Sequence, residues 1–541
     1  MFKHWIDDLA DKLYEEFVKK RKDVYVLNGG LSVRGIQHIG RLRGEVVLND
    51  VLKKILRKRG LRVKQYLTIY TQDEWSGKET QLKIFSSEVE GLKYIGWPLA
   101  HVPDPLSCHR NWVEHFWSDF GPFVKEYFTD GDIEFITTSE LYEGGLKEFV
   151  RLSIERRNEI RLVLNKYRGE KKIEENWIPF NPICKGCGRI NSTIAIGVEN
   201  GKVRYSCGYC GYRGEAGFNE GKLGWAVEWV GVWWVLNVDF EPYGKDHATP
   251  GGSRDRCNEL ARTVFNIEPP IGVAYEWVSF RERGVEKDMT SSGFIGITPK
   301  DWIEVAHPHV LRYILLKTPL MKKIVIDLVE IPKYYDDYYR AERVYYGLEK
   351  IADPQEEVLM KRSYELSYPR GEPPPKQPLQ IPYSHLAILT QVIPRDLWFT
   401  EGVKRLRSTG MIREELDEYS MKRLFETMEK SYNWVLKYAP DQMRVEIKSD
   451  IDEKLLSSIP SNYVSYLIRI RRELSEIDVW NEENVKNALI KATDGLSDQE
   501  RRKLYEYFYM IITGKSYGPR AAPLLALMGR ERVMSILGKI R

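Results

Sequence analysis

The sequence has little charge of one sign: 82 lysines and arginines stand against 78 aspartates and glutamates, a formal net charge of +4 over 541 residues. That balance excludes a polyanionic or polycationic protein, and it neither demands nor rules out a nucleic-acid partner. Long apolar runs are missing too. The most apolar stretch, GWAVEWVGVWWVLNV, carries Glu228 and is too short to cross a bilayer, so no membrane anchor is expected. The opening segment, MFKHWIDDLADKLYEEFVKK, is acidic and amphipathic at helical spacing and lacks the apolar core and small-residue cleavage site of a secretory signal. Export is therefore not expected. Cysteine is scarce, with six in the chain and four of those in two CxxC pairs. This pattern excludes a disulfide framework and suits metal ligands in a reducing compartment, which places the protein in the cytoplasm. No low-complexity or long charged tract is present, and the hydrophobic fraction of 43% is that of a chain that folds throughout.

What is present has a clear organisation. VYVLNG at 24–29 reads as a strand ending in a glycine turn, EVVLNDVLKKILRKRG as a helix stopped by Gly60, and VKQYLTIYT as a second buried strand. Strand, turn, helix and strand in that order predict a parallel, doubly wound α/β domain of the Rossmann type, built to bind a nucleotide. Residues 101–215 hold the cysteine and histidine clusters and read as an inserted metal-bearing module. After it, VDFEPYGKDH and RDRCNELARTVF resume the alternation, so the α/β domain takes 1–100 and 216–300. From 301 onward helical periodicities dominate, in HPHVLRYILLK, DYYRAERVYYGLEKI and SMKRLFETMEKSYNWVLKYA. We read 301–367 as a helical connecting domain and 368–541 as a second helical domain, divided by the stiff stretch YPRGEPPPKQPLQIP at 368–382.

Four groups of residues carry chemistry. Gly29, Gly30 and Ser32 with Gln37, His38, Ile39 and Gly40 sit at the turn from the first strand into its helix. Bare glycine backbone lets a ligand approach, and a histidine at a helix start adds a donor where the dipole favours phosphate; a tight turn with a capping histidine would read the same way. Cys184, Cys187, Cys207 and Cys210 form two CxxC knuckles, each followed by glycine, a spacing that suits a closed tetrahedral Zn²⁺ site. Asp104, Cys108, His109 and His115 offer a mixed Zn²⁺ ligand set, although the histidines could instead cap helices or face solvent. In the helical half, Tyr432, Trp434, Lys437, Tyr438 and the turn Gly514–Arg520 have the aromatic and basic character that stacks bases and meets phosphates, while aromatics at helical spacing also build cores.

Taken in order, these motifs make the chain resemble the class I lysyl-tRNA synthetases. HIGR stands where that family has its HIGH-type signature, GKDH at 244–247 with Gly251, Gly252 and Ser253 looks like its GKDH…GS segment, Pro269 to Trp277 its P-x-x-YE-[FW] segment, and DMTSSG at 288–293 its KMSKS loop. The resemblance runs from the N-terminal HW pair to GKSYGPRAAPLLALMG at 514–529. It implies ATP-dependent activation of lysine, with Mg²⁺, followed by transfer to the terminal ribose of tRNA(Lys). On this resemblance His38, Gly40, Arg41, Lys287, Ser291 and Ser292 would serve ATP, and Gly30, Ser32, Trp225, His247 and Tyr275 would line the lysine pocket. An aromatic face suits the stem and cation of lysine, although Trp225, close to Trp229, Trp233 and Trp234, could equally be core. The resemblance also makes 104–115 a second zinc site and the C-terminal helices an anticodon-binding region. The oligomeric state is not legible, and a monomer is favoured.

Departures from the family pattern leave two rivals, a synthetase-derived tRNA-binding protein without adenylate formation and a related ligase for another amino acid. The loop's lysine positions fall on Asp288 and Gly293, with Lys287 one residue away. Val33 and Arg34 replace the usual Pro-Ser, Arg41 replaces the residue after HIG, and an acidic pair expected near Tyr70 and Thr71 is missing.

Overall fold

The computed structural model describes residues 2–448 and 451–540. It forms two compact units: the first comprises Met1–Trp302, Leu311–Asp327 and Lys350–Pro373, the second Ile303–Val310, Leu328–Glu349 and Pro374–Arg541. The last boundary falls within the proline-rich stretch. The connecting domain expected at 301–367 does not stand as a body, because its segments divide between the two units. Helical periodicity shows that a segment has a buried face; it does not show which neighbour buries it.

The first unit is built on a parallel sheet. Strand β1 (Tyr25–Leu31) pairs in parallel with β2 (Val63–Ile69), and β2 with β3 (Glu134–Thr137). On the other side of β1, Phe240 bridges Leu27 in the parallel sense and Ile271 bridges Phe240. Backbone hydrogen bonds from Asn28 N to Phe240 O and from Glu241 N to Ile271 O, both 2.9 Å, hold these two short strands in place. The spatial order is thus β3, β2, β1, the Phe240 strand and the Ile271 strand. The order reverses at β1, and ligands of such sheets bind beyond the carboxyl ends of the strands at that point. β1 is buried along almost its whole length, as a strand covered on both faces must be. After β1 the chain enters a 3₁₀ turn (Ile39–Leu42), a π turn (Arg43–Leu48) and an α-helix (Asn49–Lys58). One face of the sheet is completed by a cluster that includes Phe149, Val230, Trp233 and Cys257.

The inserted module expected at 101–215 is corrected by this topology. β3 lies inside that range and pairs with β2; the helices Thr138–Glu143 and Gly145–Glu155 that follow it supply Leu141, Leu146 and Phe149 to the core. What remains is two separate excursions. One, holding Asp104 to His115, lies between β2 and β3. The other is an antiparallel ribbon of Thr193–Glu199, Lys202–Cys207 and Arg213–Ala216, flanked by the pair Phe180–Pro182 and Gly221–Leu223. β3 escaped notice because it is four residues long and only partly buried. Three further strands, Val278–Glu282, Val285–Asp288 and Ile324–Asp327, form a small mixed sheet in the same unit.

The second unit is helical. Its core gathers Leu389, Met428, Leu467, Phe508 and Leu524 from helices Tyr383–Val392, Glu418–Lys437, Ser461–Ser475, Asp498–Thr513 and Ala521–Met528.

Candidate active site

Two adjoining cavities, of about 430 and 520 Å³, are walled by the loops that follow β1 and β2 and by the segments around Trp225 and Asp246. Gly30, His38, Arg41, Tyr70, Trp225 and His247 line both. Gly30 is required by close approach: a Cβ there would lie 2.8 Å from Cε2 of the Tyr70 ring. Trp225 opens the helix Trp225–Leu236, stands 38% exposed, and places its ring 5.1 Å from Tyr70 and 6.2 Å from His247. Trp233 is a core residue of that helix, Trp229 is buried but borders the first cavity, and Trp225 is a wall of both cavities. Ser32 lines the second cavity, and Tyr275 the first, where Gly40, Glu45, Trp277 and Val278 surround the same end. Arg43 fixes that end by donating to the carbonyls of Glu276, Pro319 and Lys322 at 2.7 to 2.8 Å.

His38 caps the 3₁₀ turn and is buried, with its Nδ1 unpartnered. Burial, with Arg41 nearby, lowers its pKa to about 3. The imidazole is therefore neutral at physiological pH, and the positive charge beside it belongs to Arg41. Here the sequence expectation needs correction. Lys287 lies on the strand Val285–Asp288, pairs with Glu282 at 2.8 Å among exposed side chains, and lines neither cavity. A strand alternates its side chains, so one step from Asp288 to Lys287 turns the side chain to the opposite face. The cations on the cavity walls are Arg34, Arg41 and Lys78. Lys78 was not singled out from sequence. Its Nζ donates to Ser292 Oγ at 2.9 Å, and Thr80 Oγ1 donates to Ser292 O at 2.7 Å, tying down the loop that brings Ser291 and Ser292 to the second cavity. Asp288 lines the first cavity and faces Lys323 at 3.4 Å.

Asp73, on the wall of the second cavity, and the buried charges behind it left no sequence signal. Lys222 lies 3.0 Å from Asp73 and in contact with Glu228, which also accepts from Tyr142 Oη at 2.7 Å. Burial works to raise Asp73, but Lys222 and Arg34 hold its carboxyl below the usual range.

Both metal-ligand sets converge. The four thiol sulfurs come within 4.8 Å of one another, with Cys184 and Cys210 at 3.6 Å and Cys187 and Cys207 at 3.7 Å. Tetrahedral Zn–S bonds of about 2.3 Å require sulfur separations of roughly 3.8 Å. Gly188 and Gly211 take φ of +75° and +74°, the left-handed turn that lets their amides donate to the carbonyls of Cys184 and Cys207. In the mixed set Cys108 Sγ is 3.1 Å from His109 Nδ1 and 3.2 Å from His115 Nδ1, and Asp104 Oδ1 is 3.1 Å from His115 Nδ1. Burial opposes ionisation of Asp104, yet the amides of Leu106, His109 and Cys108 hold its pKa near 2, so its carboxyl is ionised.

In the second unit, Trp434 is core, 1% exposed and bonded to Leu328 O at 2.7 Å. Tyr432 and Lys515 instead line a cavity of about 640 Å³ with Arg395, Arg444 and Arg532.

A doubly wound sheet with a cavity at its switch point, a His-Ile-Gly turn and a Ser-bearing loop across from it defines a class I tRNA synthetase. The family described as tRNA synthetases class I (K) matches residues 3–370, and the chain belongs to it. Over 99% of its length the chain is 51% identical to a lysine–tRNA ligase of Aeropyrum pernix, covering 97% of that protein. It is 33% identical to the lysine–tRNA ligase of Thermococcus kodakarensis, over 99% of both chains, and 31% identical to that of Methanocaldococcus jannaschii, over 98% of both.

Proposed function

We propose that the chain is a lysine–tRNA ligase. It activates lysine with ATP and passes it to the terminal ribose of tRNA(Lys). The observation that carries this reading is the pair of adjoining cavities at the switch point, one bounded by aromatic rings and the other by three cations and the two loop serines. Similarity to lysine–tRNA ligases over the whole chain favours it over a ligase for another amino acid. In the first step the lysine carboxylate attacks the α-phosphorus of ATP and pyrophosphate leaves; in the second a ribose hydroxyl attacks the adenylate carbonyl and AMP leaves. Such chemistry rests on positioning and on stabilising charge as it develops. His38, with Gly40 beside it, contacts phosphate as a neutral donor; Arg41, Arg34 and Lys78 offset the charge of the departing pyrophosphate, and Ser291 and Ser292 bring the loop to it. Gly30, Ser32, Trp225, His247 and Tyr275 border the amino acid. Mg²⁺ accompanies ATP. The cations at the second cavity answer the missing loop lysines and so favour a catalytic protein over the non-catalytic rival.

Zn²⁺ fits the four cysteines, with a structural role, and Asp104, Cys108, His109 and His115 would hold a second ion. Tyr432, Lys515 and the three arginines around them are the surface we assign to tRNA. The test is ATP–pyrophosphate exchange across the amino acids, with and without tRNA. Exchange with lysine alone is expected; exchange with a different amino acid, or tRNA binding without exchange, would refute the assignment.

A further inference from the structure

One carboxylate on the first cavity's wall has no part in the steps above. Glu241 directly follows Phe240, the residue that bridges β1; it is 2% exposed and borders the cavity with Tyr70, Trp225, Trp229 and Tyr243. Its Oε1 accepts from Asn28 Nδ2 at 2.9 Å, and its Oε2 from the indole N–H groups of Trp229, at 3.0 Å, and Trp233. Thr68 orients the amide by donating to Asn28 Oδ1 at 2.9 Å, so that the nitrogen is the end turned to the glutamate. Burial raises the pKa of Glu241 against the opposing pull of Arg254 and these three donors; once ionised, its carboxylate offers about four acceptor positions. Three are filled, all by neutral donors.

Among the other carboxylates of the two cavities, Glu45 has Arg41 at 3.9 Å, Asp73 has Lys222 and Arg34, and Asp288 has Lys323; Asp246 faces only His247, whose pKa burial lowers, but its own side chain is half exposed to water. Glu241 forms no ion pair among the described residues. The field of Arg254 reaches it, but that guanidinium lies over the rings of Trp233 and Tyr243 and donates to Pro270 O. A second observation points to the same place. Tyr70, 2% exposed, lines both cavities, and its buried hydroxyl has no hydrogen-bond partner. A buried hydroxyl without a partner costs stability, and so does a buried carboxylate without a cation.

We propose that Glu241 and the Tyr70 hydroxyl together receive the ε-ammonium of the substrate lysine and set the amino-acid specificity. The inference rests on the lysine-ligase reading. The ammonium fills the fourth acceptor position of Glu241 and donates to Tyr70 Oη, while the rings of Trp225 and Trp229 flank the cation. Selectivity follows from what a wrong substrate leaves behind. Norleucine, the same chain without its nitrogen, would desolvate Glu241 and leave it uncompensated, which is how a polar pocket rejects an apolar isostere.

Two variants test this through exchange kinetics with lysine, at saturating ATP and with tRNA present, and through the inhibition constant of norleucine. Tyr70→Phe removes a hydroxyl that bonds to nothing in the protein, so its thermal midpoint should not fall, while the KM for lysine rises about tenfold, the worth of one hydrogen bond to a charged group. Glu241→Gln should raise the KM for lysine about a hundredfold or more and shrink the preference for lysine over norleucine by a similar factor. The KM for ATP should stay within about twofold in both. Folded Tyr70→Phe protein with an unchanged KM for lysine and an unchanged preference over norleucine overturns the proposal. Exchange by the wild-type chain with a different amino acid overturns the ligase reading, and this proposal with it.

Discussion

Replacing Cys187 by serine should do more than release a metal ion. The ribbon that carries the four cysteines has a small apolar core of its own, Cys184, Tyr205, Cys207 and Ala216 with Cys187 packed beside them. Tyr205 is its one large buried side chain, and burying it contributes only about 2–3 kcal/mol. On the outer face Ile194 and Ile196 stand 66% and 57% exposed, so the strands gain little there. A structural zinc in a thiolate site contributes roughly 10–16 kcal/mol at neutral pH, several times what that core supplies. Loss of one thiolate should therefore unfold the ribbon locally while the parallel sheet persists. Elemental analysis should find about two zinc ions per wild-type chain, and about one fewer, tightly held, in Cys187→Ser. Amide hydrogen exchange should rise across 184–216 and stay low in β1 and β2. Gly188→Ala is a metal-sparing control: it strains a φ of +75° and drives a Cβ to 2.4 Å from the Trp97 ring, so it should loosen the same ribbon with all four thiols present. Metal-free Cys187→Ser protein with wild-type protection across 184–216 would refute this account of what holds the ribbon together.

Three further outcomes are expected. Lys78→Ala should lower the rate constant of lysyl-adenylate formation about 10–100-fold with little change in lysine affinity, whereas Lys287→Ala, which removes only an exposed pair with Glu282, should stay within about twofold; rapid-quench kinetics on both variants check the reversal. His38 is neutral in the folded state down to about pH 3, while in the unfolded chain it takes up a proton near pH 6.5. Below pH 6.5 the unfolded state binds the extra proton, so stability contributed by this residue falls as pH drops from about 6.5 toward 3 and is constant above that window. His38→Gln should flatten the decline in thermal midpoint there, and an unchanged slope would contradict the buried neutral imidazole. Finally, Arg444→Ala and Lys515→Ala should each weaken tRNA binding and reduce the slope of log affinity against log salt by about one. An unaltered slope in both would remove this cavity from the tRNA-binding surface.

The sequence by itself determined the elements whose pattern is local. β1 and β2 declared themselves by apolar runs ending in glycine turns, the four-cysteine site by spacing and trailing glycines, and the long helices by their period. The order of motifs was enough to identify the family, because each motif marks one turn of a fold that places them all at one switch point. Only the tertiary structure decided what depends on direction and neighbourhood. Lys287 was the nearest cation to the loop in sequence, but strand pairing turns it outward and Lys78, more than two hundred residues earlier, takes the place beside Ser292. Glu241 stood in a stretch read only as a strand, and nothing local marks it as a carboxylate bonded solely by neutral donors. Its partners come from another strand and a helix. The same cause hid β3 and dissolved the expected connecting domain: a periodicity reports that a side chain will be buried, and only the packed chain fixes against what.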